Sequence, residues 1–296
     1  GLGLGGASYQ RWCTGVDQRL LYGRLQSGIA AWVLLTLSLL YSVAPMPWFQ
    51  DGLLGLVYDS AYHWSLGLLT FGLICSVVLL PPTIAMGVSF PALSNLYHRS
   101  TGRAAGRAVS AVFASNTMGS IAGAVVVGFV LLPKFGIRGA LMLMAAISLV
   151  LAWGFVWPQQ RRLELLAGSG IWVLLLLAGL QGPHLLGRGE LATDHVLFYD
   201  EGLMSTVKVY QRDDQQHMSI DGSRIASTAR GLRQKEQLVA HLPALLRSGV
   251  RDVLAVGLAS GITAHSIGLH EDVRQIDIVE LIAPVFEASR YFAASN

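Results

Sequence analysis

From Leu25 to Pro45 the chain carries no charged residue, and the runs Ser65 to Tyr97, Ala108 to Pro133 and Gly139 to Trp157 are equally free of charge. A bilayer core of about 30 Å is crossed by about 20 apolar residues in helical conformation. Within it, every backbone N–H and C=O must find its partner inside the spanning structure. Runs of this length and purity therefore restrict the first part of the chain to a bundle of membrane-spanning helices. Composition agrees, because 53% of the 296 residues are hydrophobic and only 13% are charged, against roughly 25% charged in ordinary soluble domains.

The polar punctuation between the runs sets a topology. Residues 1 to 8 read as the end of a further small-residue membrane helix, and Arg11, Arg19 and Arg24 as a basic loop. Residues 46 to 63, with Asp51, Asp59 and Trp48, and Trp64 just beyond, read as an aqueous loop with aromatic anchors. The run Ser65 to Tyr97 holds Pro81 and Pro82 at its centre and Pro91 near its end. At about 1.5 Å per residue it is too short for two spans, so one long kinked helix is expected. The basic cluster His98, Arg99, Arg103 and Arg107 follows, then the link Lys134 to Arg138, then Arg161 and Arg162 before a last apolar run, Leu165 to Leu180. The count is about four to five spans.

The basic residues stand at the ends of apolar runs rather than in one patch. The net charge of +3 thus marks topology in a cell (inner) membrane, with the lipid bilayer as partner, and no nucleic-acid surface. Charge bias puts the basic loops on the cytoplasmic side. If Leu165 to Leu180 crosses once, the following domain lies outside the cytoplasm; if this short run is re-entrant or interfacial it does not, and the sequence leaves the side open. Oligomeric state is left open as well.

Asn116 and Thr117 lie inside a span, in NTMGSIAGAVVVGF. Polar groups at that depth mark a helix interface or a pathway, and Gly119, Gly123 and Gly128 make close helix packing the plainer reading. No acid, lysine or arginine lies within any span, which counts against proton-coupled transport. Cys13 and Cys75 are the only cysteines; they form no disulfide framework and no metal-ligand spacing, and no metal is expected.

Composition changes at about Gly182. The expected division is a multi-pass transmembrane bundle over 1–181, a small β-strand region over 182–230, and a linking helix with the first half of a Rossmann-like α/β domain over 231–296. Gly202 to Gln211 alternates as a strand, and His217 to Ser227 places Asp221 and Gly222 where a hairpin turns. A helix over roughly Leu232 to Arg247 carries Leu238, Leu242, Leu245 and Leu246 on one face. His241 reads as a helix-end histidine before it reads as a base.

Val253 to Glu280 then reads as an apolar strand, a small-residue turn (Gly257, Leu258, Ala259, Ser260, Gly261), a helix, and a second apolar strand ending on an acid. That is half of a nucleotide-binding βαβ unit. Gly257 suits a tight strand-to-helix reversal, and Gly261 a close backbone approach to a ligand. Glu280, 23 residues after Gly257, stands near the place where such folds set a carboxylate on ribose hydroxyls. Glycines also end strands in proteins that bind nothing. The spacing GxxxG rather than GxGxxG, with no phosphate-binding lysine after it, leans away from a pyrophosphate cradle.

The segments YDEGLMSTVKVY, MSIDGSRIAS, LVAHLPALL, VLAVGLASGITA and IDIVEL occur in the order and spacing of the spermidine synthase family of aminopropyltransferases, which the chain resembles. More closely it resembles the bacterial membrane-fused members, in which a bundle similar to major-facilitator transporters precedes the synthase-like domain. LLPPTIAMGVSFPAL and ASNTMGSIAGAVVVGFVLLPKFG look like the membrane segments of those members.

The resemblance implies a Rossmann-like domain that binds decarboxylated S-adenosylmethionine, or a related nucleoside, as co-substrate. A diamine such as putrescine attacks the carbon beside the sulfonium, and methylthioadenosine leaves without help from a metal. By the same analogy Glu280 binds the ribose hydroxyls, and Gly257, Ala259, Ser260 and Gly261 form the turn around the nucleoside. The family's proton-accepting aspartate lies on a later strand, beyond Asn296, so no catalytic residue is assigned within the chain.

The chain departs from the family pattern at three places. Ser260 stands where soluble synthases commonly carry an aspartate; Lys235, Glu236 and Gln237 stand where they carry Tyr-His-Glu; and Ser205 appears in place of a glutamine. Each departure weakens the case for a cationic amine as ligand, since carboxylates are what such a ligand needs. The chain begins GLGLGGASYQ without a methionine and stops at Asn296 in what reads as mid-helix, so an internal piece of a longer protein is expected. Two strands and two helices also leave a sheet edge uncovered and some apolar surface exposed.

The leading expectation is a membrane-anchored polyamine aminopropyltransferase. The alternative is a transporter-like or scaffold membrane protein whose synthase-like domain binds a nucleoside or polyamine without turnover. A methyltransferase shares the strand, turn and acidic strand end and is a third reading.

Overall fold

The computed structural model describes residues 1–44, 46, 48–54, 60–156 and 193–295. It divides into two compact units, Gly1–Leu185 and Leu186–Asn296. The expected apolar segment Leu165 to Leu180, the basic pair Arg161 and Arg162, and Asp59 lie outside the described residues.

The first unit is helical: α1 (Leu2–Trp12), α2 (Gln18–Val43), α3 (Ser60–Thr101), α4 (Ala105–Val126) and α5 (Leu132–Val156), with π-helical turns at Trp48–Leu54 and Val127–Leu131. The Asp17 side chain caps α2, accepting from the N–H groups of Arg19 at 2.9 Å and Leu20 at 3.4 Å. That cap begins the helix earlier than the charge pattern suggests. Arg19 and Arg24 therefore belong to α2 and Arg11 to α1, rather than to a basic loop.

The segment with three prolines forms one helix of 42 residues, about 63 Å long. Pro82 has no N–H to offer the carbonyl of Val78 one turn back. The Trp32 indole of α2 donates to that oxygen at 3.0 Å, so a neighbouring helix supplies the missing bond. The expected link between the last two runs is realised at Gly136, whose φ of 66° and ψ of 177° break α5. Among the described residues three helical stretches are long and apolar enough to cross a membrane: Gln18–Val43, Trp64–Thr101 and Ala105–Val156, the last interrupted at Gly136.

Small residues let these helices approach closely. A Cβ on Gly5 of α1 would lie 2.2 Å from the carbonyl of Ile84 in α3, and one on Gly87 would lie 2.4 Å from that of Leu2. Tyr9, Val88 and Ala92 continue this seam, while Ala30, Leu34 and Ala145 fill the one between α2 and α5. Polar groups cross the α1–α3 seam as a chain: Asn95 Nδ2 donates to the Tyr9 hydroxyl, which donates to Gln18 Oε1, each at 3.0 Å. Gln18 Nε2 in turn donates to the carbonyls of Cys13 and Val16.

The close packing expected for α4 does not occur among the described residues. Nothing lies within 4 Å of where a Cβ would stand on Gly119, Gly123 or Gly128. Asn116 and Thr117 are exposed, and the Thr117 hydroxyl bonds back to the carbonyl of Phe113.

The second unit holds an antiparallel meander, β1 (His195–Glu201), β2 (Thr206–Arg212), β3 (Gln215–Ile220) and β4 (Ser223–Ser227), in the order β1-β2-β3-β4. Asp221 and Gly222 join β3 to β4 with φ of 49° and 76°, the left-handed pair of a tight hairpin. Asp221 Oδ1 also accepts from the N–H of Thr206. After helix α6 (Arg230–Leu246) come β5 (Asp252–Val256), α7 (Ile262–Gly268), β6 (Gln275–Val279) and α8 (Pro284–Ser289), closed by a 3-10 turn, Arg290–Ser295. β5 and β6 pair in parallel, Val253 with Ile276 and Val256 with Val279.

The core of this unit joins Val207 and Val209 of β2, Met218 and Ala226 to Val285, Ala288 and Phe292. Leu258, Ala259 and Ile282 pack against that core, which seats the glycine turn on the meander. The leucine face of α6 differs from expectation. Leu238, Leu242, Leu245 and Leu246 are exposed, Leu246 by 79%, because α6 meets α7 and β4 through its other faces. Leu254 and Val256 of β5 are exposed as well.

The Gly5 seam gives a direct test. Gly5→Leu overpacks the α1–α3 contact and should destabilise the detergent-solubilised protein by about 1–3 kcal/mol. Gly119→Leu, with open space around it, should leave the thermal unfolding midpoint unchanged.

Candidate functional site

The turn Gly257–Gly261 stands at the C-terminal ends of two parallel strands, where ligands bind in open α/β sheets. Three of its five residues have left-handed backbones: Gly257 at φ 95°, Ala259 at φ 47° and Gly261 at φ 85°. Around Gly257 there is open space for a Cβ, so glycine is needed there for its backbone conformation and not for room. Its N–H donates to the carbonyl of Val279 at 2.8 Å, extending the parallel ladder into the turn. Ala259 pays about 1–2 kcal/mol for its conformation, and packing against the core holds it there.

Two carboxyl groups brace this turn. Glu280, just past β6, accepts the N–H of Leu258 on Oε2 and that of Ile282 on Oε1, both at 2.9 Å. Partial burial alone would raise its pKa, but bonds from the backbone of Leu258, Ile282, Leu281 and Ala259 outweigh burial and hold the carboxyl below its ordinary range. The acid therefore stays charged and reaches both strand ends.

Glu236 of α6 braces the other side. Ser260 is fully buried; its hydroxyl donates to Glu236 Oε2 and accepts the N–H of Ile262 at 3.3 Å. Thr263 Oγ1 donates to the Glu236 carbonyl at 3.2 Å. Burial pushes the Glu236 carboxyl above its usual range, and the hydrogen bonds from Ser260 and the backbone of Ser227, with the charge of Lys235, offset this only in part.

The expected site residues are thus brought together as one turn, with different exposures. Gly257 is exposed and Ala259 and Glu280 are half-buried, whereas Ser260 and Gly261 are buried. Glu236 was visible in the sequence only as part of a departure from a pattern. The signal that joins it to the site is its placement two turns into a helix that packs on α7, which no local motif records. His241 shares a hydrogen bond with His270 at 2.9 Å, tying α6 to the loop after α7. Among the described residues no group of three or more His, Cys, Asp or Glu side chains could hold a metal.

No family model matches the chain. It is similar to the polyamine aminopropyltransferase of Mycobacterium tuberculosis, with 29% identity over 218 residues covering 69% of this chain and 41% of that protein. Polyamine aminopropyltransferase 1 of Streptomyces coelicolor is 27% identical over 232 residues, covering 73% and 43%. The chain spans less than half the length of these curated relatives. Both matches are longer than the whole unit Leu186–Asn296, so each includes part of the helical unit. Among solved structures, the spermidine synthase from Thermotoga maritima aligns over 34% of this chain and 36% of its own, with 20% identity and a TM-score of 0.32.

Glu280→Gln tests the brace. An amide cannot accept from both backbone groups, so the amides of Leu258 and Ile282 should exchange with solvent about fivefold faster, a cost of about 1 kcal/mol after allowing for exposure. Because the folded pKa is depressed, the stability that Glu280 contributes is present above its unfolded value of about 4.3. It fades as pH falls through the lower folded value, and there the variant and the parent should converge.

Proposed function

We propose that this chain belongs to a membrane-anchored polyamine aminopropyltransferase of the spermidine synthase type. The observation that carries the reading is the turn braced by Glu280 at the ends of β5 and β6, in a chain similar over 69% of its length to a polyamine aminopropyltransferase. The co-substrate is decarboxylated S-adenosylmethionine and the acceptor a diamine such as putrescine. The charged Glu280 reaches the ribose hydroxyls with lone pairs its amide bonds leave free, and the turn from Gly257 to Gly261 borders the adenosine.

In the reaction the acceptor nitrogen forms a bond to the carbon beside the sulfonium as the carbon–sulfur bond breaks. The electron pair leaves on sulfur as neutral methylthioadenosine, and the amine gives up a proton. Since the leaving group is already activated, the protein contributes orientation and a proton acceptor. The residues here supply the orientation of the nucleoside.

Anchoring in a bilayer is supported by the three long apolar helical stretches. Large apolar side chains on α3, on α4 and on the π-helical turn after it, such as Leu69, Met118 and Phe129, face outward and are each at least two-thirds exposed, as lipid-facing surfaces are. A cell membrane is the proposed location, with the helical unit as a major-facilitator-like anchor.

The test uses the full-length protein in detergent with decarboxylated adenosylmethionine and putrescine, following methylthioadenosine release. The parent should release it, and Glu280→Ala should lower the rate at subsaturating nucleoside about ten- to a hundredfold, the worth of hydrogen bonds to a charged group. Nucleoside binding without release would instead identify a binding module.

A further inference from the structure

Of the two carboxyl groups that brace the turn, one has a donor on each oxygen and one does not. Glu280 has an amide on each oxygen. Glu236 has the Ser260 hydroxyl on Oε2, but its Oε1 is buried without a well-formed hydrogen bond, and the backbone of Ser227 and the charge of Lys235 stabilise the carboxylate less than Ser260 does. A carboxyl oxygen shut away from water without a donor is costly; a proton on the acid or a hydrogen-bond donor beside it relieves the cost, and a cationic donor does so most strongly. Burial already draws a proton toward Glu236. The turn itself, Gly257 to Gly261, contains no ionisable side chain.

The co-substrate proposed above, on which this inference rests, carries a positive charge on sulfur and another on its primary amine. We propose that Glu236 determines specificity at this site by receiving the ammonium end of the nucleoside co-substrate on its Oε1. Ser260 holds the other oxygen and is itself held by the Ile262 amide, so the acid is oriented before the ligand arrives and loses little freedom on binding it. A donor N⁺–H completes the hydrogen bonding of Oε1, and the two charges neutralise each other where water does not screen them. Thr263, bonded to the Glu236 backbone, fixes the same stretch of α6 to the start of α7.

The experiment is calorimetric titration of the full-length protein in detergent with three probes: decarboxylated adenosylmethionine, its sulfonium analogue with a propyl group in place of the aminopropyl group, and methylthioadenosine. Glu236→Gln keeps an acceptor for Ser260 and removes the charge. It should weaken the first probe about ten- to a hundredfold, the worth of a charge-assisted hydrogen bond, and leave the other two within about twofold. Glu236→Asp, which keeps the charge on a shorter arm, should recover part of the loss. Glu280→Ala should weaken all three probes alike.

Equal weakening of all three by Glu236→Gln would reduce Glu236 to a support of the turn, and no change with any probe would remove it from the site; either overturns the proposal. A parent protein that binds all three equally well also overturns it and leaves the aminopropyltransferase reading in place. A parent that binds none of them brings down both.

Discussion

The second unit depends on a single carboxylate that reaches across two strand ends. Glu280 follows the last residue of β6, yet its oxygens take the amides of Leu258, in the turn after β5, and of Ile282. A parallel pair has no hairpin to set its ends in register; it needs a crossover and something to fasten the exits. Here the fastening is one side chain, and the strained left-handed backbone of Ala259 is held against it. The meander contributes from below, since the core that buries Val207, Met218 and Phe292 also receives Leu258, Ala259 and Ile282. The candidate site is thus a surface turn with its side chains sunk in a β core.

The helical unit meets a different constraint, the need to satisfy polar groups between closely packed apolar helices. Its solutions are local. Serine and threonine hydroxyls turn back onto carbonyls one turn earlier, as Ser89 and Ser94 do. The Asn95–Tyr9–Gln18 chain closes the open end of α1 by reaching the carbonyls of Cys13 and Val16. Small residues at Gly5 and Gly87 remove the side-chain layer between α1 and α3 and bring backbones into contact.

Much of this was legible in the residues. Charge-free runs fixed the long helices, because helical periodicity is unnecessary where every face is apolar. Asp221–Gly222 announced its hairpin through the only backbone that Asp-Gly readily adopts there. The strand, glycine turn and acid of Val253 to Glu280 gave the βαβ unit, since small residues at that spacing have few other uses. What sequence could not give was anything set by partners distant along the chain. The leucines of α6 formed a convincing stripe, and the structure exposes them; the glycines of α4 looked like an interface and have no neighbour among the described residues. Glu236 belongs here too: its importance lies in a contact with Ser260, 24 residues on, and no short motif encodes a contact of that kind.

The bond from Trp32 to the carbonyl of Val78 has a consequence for how the sequence can drift. That carbonyl is free only because Pro82 has no hydrogen to give it. Replace the proline with an ordinary residue and the helix satisfies its own oxygen, leaving the indole redundant; replace the tryptophan first and the oxygen is stranded. Neutral exchange at these two positions therefore has a preferred order, proline before tryptophan, and relatives lacking Pro82 should be the ones in which position 32 is released to vary.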